Sequence, residues 1–481
     1  MKQIRVRFAP SPTGYLHIGG LRTALYDFLF ARSVGGKFIL RIEDTDRNRL
    51  VEDAAEKLIS ALERMGIELD EGPGIGGDFG PYVQSDRLEL YHREAQRLLD
   101  SGNAYRCFCS AERLSQMREQ QQQNGEFVKY DRHCLSLSED EVQERLARGE
   151  QHVVRLKMPD ERVFAFTDLI RGSVEMDAAQ SDDQVIIKSD GFPTYHLAAV
   201  VDDHFMEISH VIRGEEWLSS TPKHIWLNEC LGWEAPLWVH LPLILNQDRS
   251  KLSKRMNDVS VDSYLERGYF KEAIINFIAL LGWHSADDQE IYSLEELCKV
   301  FSLERVNKAG AVFDLTKLDW MNGIYMRSLD PQEVFNRALP YFTAAGYSLE
   351  SGATSLKMIE IARERCTLLP ELVDYCKIFL SRPELSPEMQ ELLCNEDSRK
   401  VLQYFLALFD NPDEGFGSLV LADLPKAAMQ ELGIKGKQFF TPLRLALIRQ
   451  EHGPDLPSIW EILGKAETVS RLRESLGSQG L

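Results

Sequence analysis

No stretch of this 481-residue chain comes near the ~18 consecutive apolar residues that a membrane-spanning helix requires. Cysteine is scarce as well, and eight thiols scattered along the whole length do not look like a disulfide framework. Met1-Lys2-Gln3-Ile4-Arg5 passes straight into a strand-like stretch, so no secretory leader is expected and the expected location is cytoplasmic. Positive charge is also short. Lys and Arg number 55 against 75 Asp and Glu, a net charge of −20. That balance works against binding a polyanion, whose affinity comes largely from phosphate neutralisation. The last fifty residues reverse it locally, with seven basic side chains against five acidic ones. Composition alone therefore points to a multidomain soluble enzyme, with 44% apolar and 27% charged residues.

What is present is concentrated in two short segments. Pro10-Ser11-Pro12-Thr13-Gly14-Tyr15-Leu16-His17-Ile18-Gly19-Gly20 follows the alternating stretch Ile4–Phe8 and runs into Leu21–Leu29, which has helical spacing. A strand, a Pro/Gly turn and a helix start make an anion site, because free N–H groups and the helix dipole both favour phosphate. Gly14, Gly19 and Gly20 let backbone and ligand approach closely. The second segment, Lys251-Leu252-Ser253-Lys254-Arg255, carries two ammonium groups suited to a polyphosphate whose charge shifts in a transition state. Neither segment is a Walker loop or a GxGxxG fingerprint.

Taken together, the two segments resemble the HIGH and KMSKS motifs of class I aminoacyl-tRNA synthetases. Arg41–Arg47, Gln84–Arg87, Pro193–Leu197, Val211–Trp217 and the late stretch Gly433–Pro454 narrow the resemblance to the bacterial glutamyl-tRNA synthetase type, in order along nearly the whole chain. Gly20 stands where many class I enzymes carry a second histidine, so His17 is the only histidine of that motif and Gly20 offers backbone alone.

The pattern up to residue 90 alternates strand and helix, with Lys37–Ile42 extended and Ala54–Met65 helical, as in a doubly wound parallel sheet. Residues 100–190 break that rhythm with a Gln-rich helical tract and strands such as Val153–Met158. Beyond residue 260 the spacing is helical, for example over Phe270–Leu281, Met358–Leu369 and Val401–Phe409. The expected fold class is α/β: a Rossmann-type parallel-sheet catalytic domain with an inserted α+β domain, then an all-α C-terminal half. By resemblance, 1–95 and 191–245 are the two catalytic halves and 96–190 receives the tRNA acceptor end. Residues 246–330 carry the KMSKS-type loop and stem contacts, and 331–385 and 386–481 form two helical anticodon-binding subdomains.

The resemblance implies ATP-dependent ligation of L-glutamate to the 3′ end of tRNA-Glu through a glutamyl-adenylate, with Mg²⁺ as reaction partner, in a monomer. Charging of tRNA-Gln as well is left open. ATP contacts are expected from Thr13, Gly14, His17, Gly19, Gly20, Lys251, Ser253 and Lys254. His17 would stabilise the phosphate transition state and Lys254 the β/γ-phosphates, with Lys251 and Ser253 supporting the loop. For glutamate, Arg7 is expected to take the α-carboxylate, Glu43 the ammonium, and Arg213 with Tyr195 the side-chain carboxylate, with Ser11 on the same turn. An arginine fork suits a carboxylate and gains little from a neutral amide, so Arg213 would separate glutamate from glutamine. The plain alternative is a structural ion pair between Arg213 and Glu215 or Glu216. Ala199 stands where family members often carry Asn.

Two further groups stay open. Some relatives bind zinc through Cys-x-Cys and a later Cys-x-His, which Cys107, Cys109 and Cys134 match except that Ser136 stands in place of the last ligand. A Tyr-x3-Cys pair, as in the related tRNA-modifying enzyme, is met by Tyr130 and Cys134; His133 is another fourth donor, and three reduced buried thiols are the plain alternative. Arg363, Arg365 and Arg444 lie where anticodon contacts would fall. Rival readings are a glutaminyl enzyme, the tRNA-modifying paralogue, a catalytically dead tRNA-binding scaffold and a related adenylyltransferase. Arg213 and the helical C-terminal half oppose the first, chain length the second, the intact motifs the third, and the length of that helical half the fourth.

Overall fold

The computed structural model describes residues 3–12, 14–47, 51, 53–252, 260–411 and 420–477. Thr13, Ser253 and Lys254, expected at the ATP site, lie outside the described residues. The chain divides into two compact units, one of residues 1–266 with 271–317 and one of 267–270 with 318–481.

The first unit begins with β1 (Arg5–Phe8), α1 (Ile18–Ser33), β2 (Lys37–Leu40), α2 (Ala54–Arg64) and α3 (Leu88–Asp100). β1 and β2 pair in parallel, Val6 opposite Phe38. Alternation in β1 predicts one wet face, yet all four of its residues are buried. The arginine face is satisfied by partners instead: Arg5 forks onto Glu71 at 2.7 and 2.9 Å, and Arg7 reaches Asp203. A buried guanidinium with a well-placed carboxylate can replace an apolar side chain there.

Next come β3 (Ala104–Cys107), α4 (Ala111–Gln123), α5 (Glu139–Ala147), β4 (Val153–Leu156), β5 (Val163–Asp168), β6 (Gly172–Asp177) and β7 (Val185–Ile187). β3, β4 and β7 form an antiparallel sheet. β5 and β6 form a hairpin, but the end of β5 also pairs in parallel with a later strand, Asp168 opposite Trp238. The segment 96–190 is thus stitched to the main sheet by β5.

The parallel pattern resumes with α6 (Tyr195–Phe205), β8 (His210–Gly214), α7 (Thr221–Leu231), β9 (Leu237–Leu241) and β10 (Ile244–Leu245). β8 and β9 are parallel, and Ser209 N–H donates to Arg5 O at 2.9 Å beside β1. The sheet pairing does not stop at Leu245 as its sequence pattern suggests. β10 pairs in parallel with β11 (Ala311–Val312), after α8 (Val261–Glu266), α9 (Lys271–Ala279) and α10 (Leu294–Val300). A two-residue strand carries no periodicity to betray it. α1 is apolar on several sides because it lies between elements: Leu21, Ala24, Leu25 and Leu29 are fully buried, and Tyr26 donates towards the carbonyl end of α9 at 3.0 Å. No described helix is long and apolar enough to cross a membrane.

The second unit takes up α11 (Leu315–Ser328) from Leu318 and continues through α12 (Pro331–Ala344), α13 (Ala353–Arg363), α14 (Leu369–Leu380), α15 (Pro387–Cys394), α16 (Glu396–Asp410), α17 (Leu424–Leu432), α18 (Lys437–Ile448) and α19 (Leu456–Gly477). The continuous helix expected over Met358–Leu369 is broken between Arg363 and Leu369. Pro370 lacks an N–H and cannot extend a helix from upstream, but it suits the first turn of α14. Phe405, Phe409, Phe439 and Trp460 pack as rings 5.1 to 5.9 Å apart and close the core of α16, α18 and α19.

Candidate active site

A cavity of about 1040 Å³ opens in the first unit at the carboxyl ends of β1 and β8. The turn after β1, the start of α1 and the residues after β10 line it, so both sequence motifs face the same space. That is where open parallel sheets place their ligands.

His17 is the N-cap of α1. Its Nδ1 accepts from Gly20 N–H at 3.0 Å, so a neutral ring carries its proton on Nε2. His17 thus both caps α1 and lines the cavity. Gly19 and Gly20 make the room: a Cβ on Gly19 would stand 3.1 Å from His17 Cε1, and one on Gly20 would stand 3.2 Å from Leu16 Cδ1. Gly14, at φ 150°, shapes the turn but does not line the cavity. Ser11 and Lys251 do, and the Lys251 ammonium stands 3.7 Å from Glu216. Arg22 also lines it, buried and bonded to the carbonyls of Pro242 and Leu281.

Beneath the turn lies a buried charge network that sequence reasoning missed. Asp203 accepts from Arg7 Nε at 2.9 Å and from Arg41 at 2.7 Å. Asp202 accepts from Arg87 at 2.7 Å, Gln84 at 2.8 Å and Tyr91 at 2.9 Å. Glu43 takes two bonds from Arg41 on Oε1, at 2.9 and 3.3 Å. Burial acts to raise Asp203, but Arg7 and Arg41 outweigh it and hold the carboxyl below its ordinary value. Burial pushes Glu43 above its ordinary value, and Arg41 only partly offsets that. Arg7 uses three donors on Asp203 and Ile212 O, which leaves two of its five. The signal in the sequence was Val200-Val201-Asp202-Asp203, adjacent acids inside an otherwise apolar helix.

Arg213, on β8, is 5% exposed and lines the cavity. Its five N–H groups meet five acceptors: His240 Nε2 at 3.0 Å, Tyr195 hydroxyl at 3.1 Å, His224 Nδ1 at 3.1 Å, Trp217 O at 3.3 Å and Thr221 Oγ1 at 2.9 Å. Among the described residues it has no ion pair. Glu215 pairs with Arg171 and Glu216 with Lys251, so the structural pairing weighed for Arg213 is not made. Burial lowers His240, and burial with the nearby Arg213 charge lowers His224 far below its ordinary value, so both rings are neutral. Burial raises the Tyr195 hydroxyl, and its ring packs 4.2 Å from Trp217. Ala199 is buried and adds nothing to the cavity lining.

In the inserted segment, Cys107, Cys109 and Cys134 hold their sulfurs within 4.8 Å of one another. Cys109 and Cys134 are 3.5 Å apart, and the Tyr130 hydroxyl stands 3.3 Å from both Cys107 and Cys109. Bonds of ~2.3 Å give a tetrahedral edge of about 3.8 Å, so the set fits a zinc ion. Phe108 N–H donates to Cys134 sulfur at 3.3 Å. Hydrogen bonding from Cys134 and Tyr130 brings the Cys107 thiol down to about 4. His133 is exposed and outside this group. In the second unit, Arg363 donates to Leu329 O at 2.7 Å and Arg444 to Pro454 O at 3.3 Å, while Arg365 is exposed.

Residues 3–320 match the family model described as class I tRNA synthetases (E and Q), catalytic domain, and residues 333–476 match an anticodon binding domain. The glutamate–tRNA ligase of Alkaliphilus metalliredigens is 47% identical over 98% of this chain and 99% of its own length. That of Clostridioides difficile is 45% identical over 98% of each. The crystal structure of a glutamate tRNA ligase from Elizabethkingia meningosepticum, in complex with its amino acid, superposes with a TM-score of 0.90 at 37% identity and full coverage of both chains.

Proposed function

The chain belongs to the class I tRNA synthetases of the glutamate and glutamine (E and Q) branch, and from that premise we propose that it is a glutamate–tRNA ligase. The observation that carries the choice of glutamate is Arg213, a buried cation in the cavity wall with five neutral acceptors and, among the described residues, no carboxylate. A substrate side-chain carboxylate supplies the missing anion; a glutamine amide does not.

The chemistry runs in two steps. ATP enters as its Mg²⁺ complex, a glutamate α-carboxylate oxygen attacks the α-phosphorus, and pyrophosphate leaves. The terminal ribose hydroxyl of tRNA then attacks the acyl carbon and AMP leaves. Such transfer demands positioning and charge stabilisation more than covalent help. His17 presents its Nε2–H to the phosphate, beside the N–H groups that open α1, and Lys254 with Lys251 adds positive charge on a loop that Ser253 supports. The two spare donors of Arg7 take the reacting carboxylate, and Glu43, whose Oε2 receives no hydrogen bond among the described residues, takes the ammonium. The segment 96–190 receives the acceptor end, and Arg363, Arg365 and Arg444 face the anticodon.

Cys107, Cys109, Cys134 and Tyr130 would hold a zinc ion. Its role is structural, tying the end of β3 to the Tyr130–Cys134 turn, and it takes no part in the reaction.

The test is acylation of purified tRNA-Glu and tRNA-Gln with labelled glutamate and, separately, labelled glutamine. Glutamate transferred to tRNA-Glu supports the reading, and its transfer to both tRNAs extends it to a non-discriminating enzyme. Transfer of glutamine in preference to glutamate overturns it.

A further inference from the structure

The Arg213 cradle contains a relay that the reaction itself does not use. His240 stands between Arg213 and Asp168: its Nε2 accepts from Arg213 Nε at 3.0 Å, and its Nδ1 lies 2.7 Å from Asp168 Oδ2. All three are at most 5% exposed. An Nε–H can bond Nε2 only if that nitrogen carries a lone pair, so His240 must be the Nδ1–H tautomer. Asp168, at the end of β5, enforces it, because an ionised carboxylate can only accept. Asp168 is itself pinned: Oδ1 accepts from the N–H groups of Ile170 and Arg171 at 3.0 and 2.9 Å, and Oδ2 also accepts from His240 N–H at 3.0 Å.

Resting on the glutamate reading above, we propose that Asp168 and His240 are positioning residues for amino-acid specificity, holding Arg213 with a neutral acceptor so that its charge stays uncompensated for the substrate's side-chain carboxylate. A carboxylate at position 240 would hold Arg213 equally well in geometry and cancel the charge that the substrate needs. Placing the anion one residue further out, behind an imidazole, fixes the fork and leaves its pairing open. His224 repeats the arrangement on the other side: its Nδ1 faces Arg213, and its Nε2 lies 3.1 Å from His196 Nδ1.

Two variants test it. In D168N the amide nitrogen must face N–H donors on either side. On the Oδ1 side it would oppose two backbone N–H groups that cannot change. On the Oδ2 side it opposes one backbone N–H and His240, which can switch tautomer. Serine-protease triads respond to the same Asp→Asn change with the wrong tautomer. His240 then turns an Nε2–H against Arg213 Nε–H, and the glutamate KM rises by roughly 10- to 100-fold with the ATP KM unchanged.

In D168N/H240E the introduced amide donates to the introduced carboxylate, which in turn accepts from Arg213, so the side-chain relay is hydrogen-bonded again from end to end and only the backbone N–H of residue 240 still faces the amide. The double variant regains thermal stability relative to D168N, yet its glutamate KM stays raised and its preference for glutamate over glutamine collapses. The histidine ¹⁵N spectrum reads the His240 tautomer directly in the parent and in D168N, independently of activity.

Parent-like glutamate KM in D168N, or recovery of that KM in D168N/H240E, overturns the proposal. An Nδ1–H tautomer that persists in D168N does so as well. A parent enzyme that fails to charge glutamate overturns the functional reading instead, and the spectrum still reports on the relay.

Discussion

Replacing Arg213 with Gln removes the charge and keeps a side chain of similar reach. The guanidinium is 5% exposed and meets no carboxylate among the described residues, so the bound substrate carboxylate would be its counter-ion. At an effective dielectric of about 20 and a separation of ~4 Å, two unit charges attract by roughly 4 kcal/mol. Desolvating the substrate carboxylate offsets part of that, leaving a net loss on substitution of about 3 kcal/mol, or roughly two decades in kcat/KM for glutamate. The five acceptors also lose most of their donors, because an amide offers only two hydrogens near them. Some loss of rigidity adds to the effect. The assay is steady-state aminoacylation of tRNA-Glu at varied glutamate, with R213K as the partner variant. Lys retains the charge without the fork and is expected to fall between parent and R213Q. The reasoning fails if R213Q keeps its glutamate KM within threefold of the parent, or if R213K is the weaker of the two.

Three further outcomes follow from the same structure. H17N keeps a capping acceptor for the start of α1, so its melting temperature should hold while kcat falls by about 10²- to 10³-fold, for want of the Nε2–H donor. D203N leaves Arg7 and Arg41 without their shared carboxylate, and urea unfolding should show a loss of about 3–5 kcal/mol. Because Asp203 is held below its ordinary value in the fold, its contribution is complete above about pH 4 and is lost as pH falls further, so parent and D203N should converge in stability only in acid. Metal analysis of purified protein should find zinc near one equivalent, and stripping it with a chelator, or the C134S change, should lower thermal stability while glutamate binding survives.

The cavity position of His17 and Lys251 was legible because the signal is local, a strand, a turn and a helix start for the first and a short basic segment for the second; Lys254 of that segment lies outside the described residues. Helix and strand positions around α1 and β2 were equally plain from spacing. What the spacing could not carry was pairing at long range. Arg7 and Asp203 are 196 residues apart, and Asp168 and His240 are 72 apart. An Arg-Val-Arg-Phe strand reads as half exposed until its carboxylate partners are known. Likewise, the helical spacing over Met358–Leu369 ignored what Pro370 forbids. Arg213 was singled out from its motif together with Tyr195, and both line the cavity, but the histidines of its neutral cradle were not foreseen. Histidines 224 and 240 have no spacing that marks them as its acceptors.

The layer under the turn holds three guanidiniums, of Arg7, Arg41 and Arg87, against three carboxylates, of Glu43, Asp202 and Asp203. Any one-residue change there strands a buried charge, and the penalty rivals much of a domain's whole stability. Drift by single steps is therefore closed at these positions, although a pair of compensating changes could be close to neutral. Lineages sharing this layer should alter its members together or not at all, while the exposed faces of α4 and α5 diverge freely. Engineering the cavity for another amino acid meets the same barrier: the wall facing the ligand can be edited residue by residue, but the tier below it must be redesigned as a block.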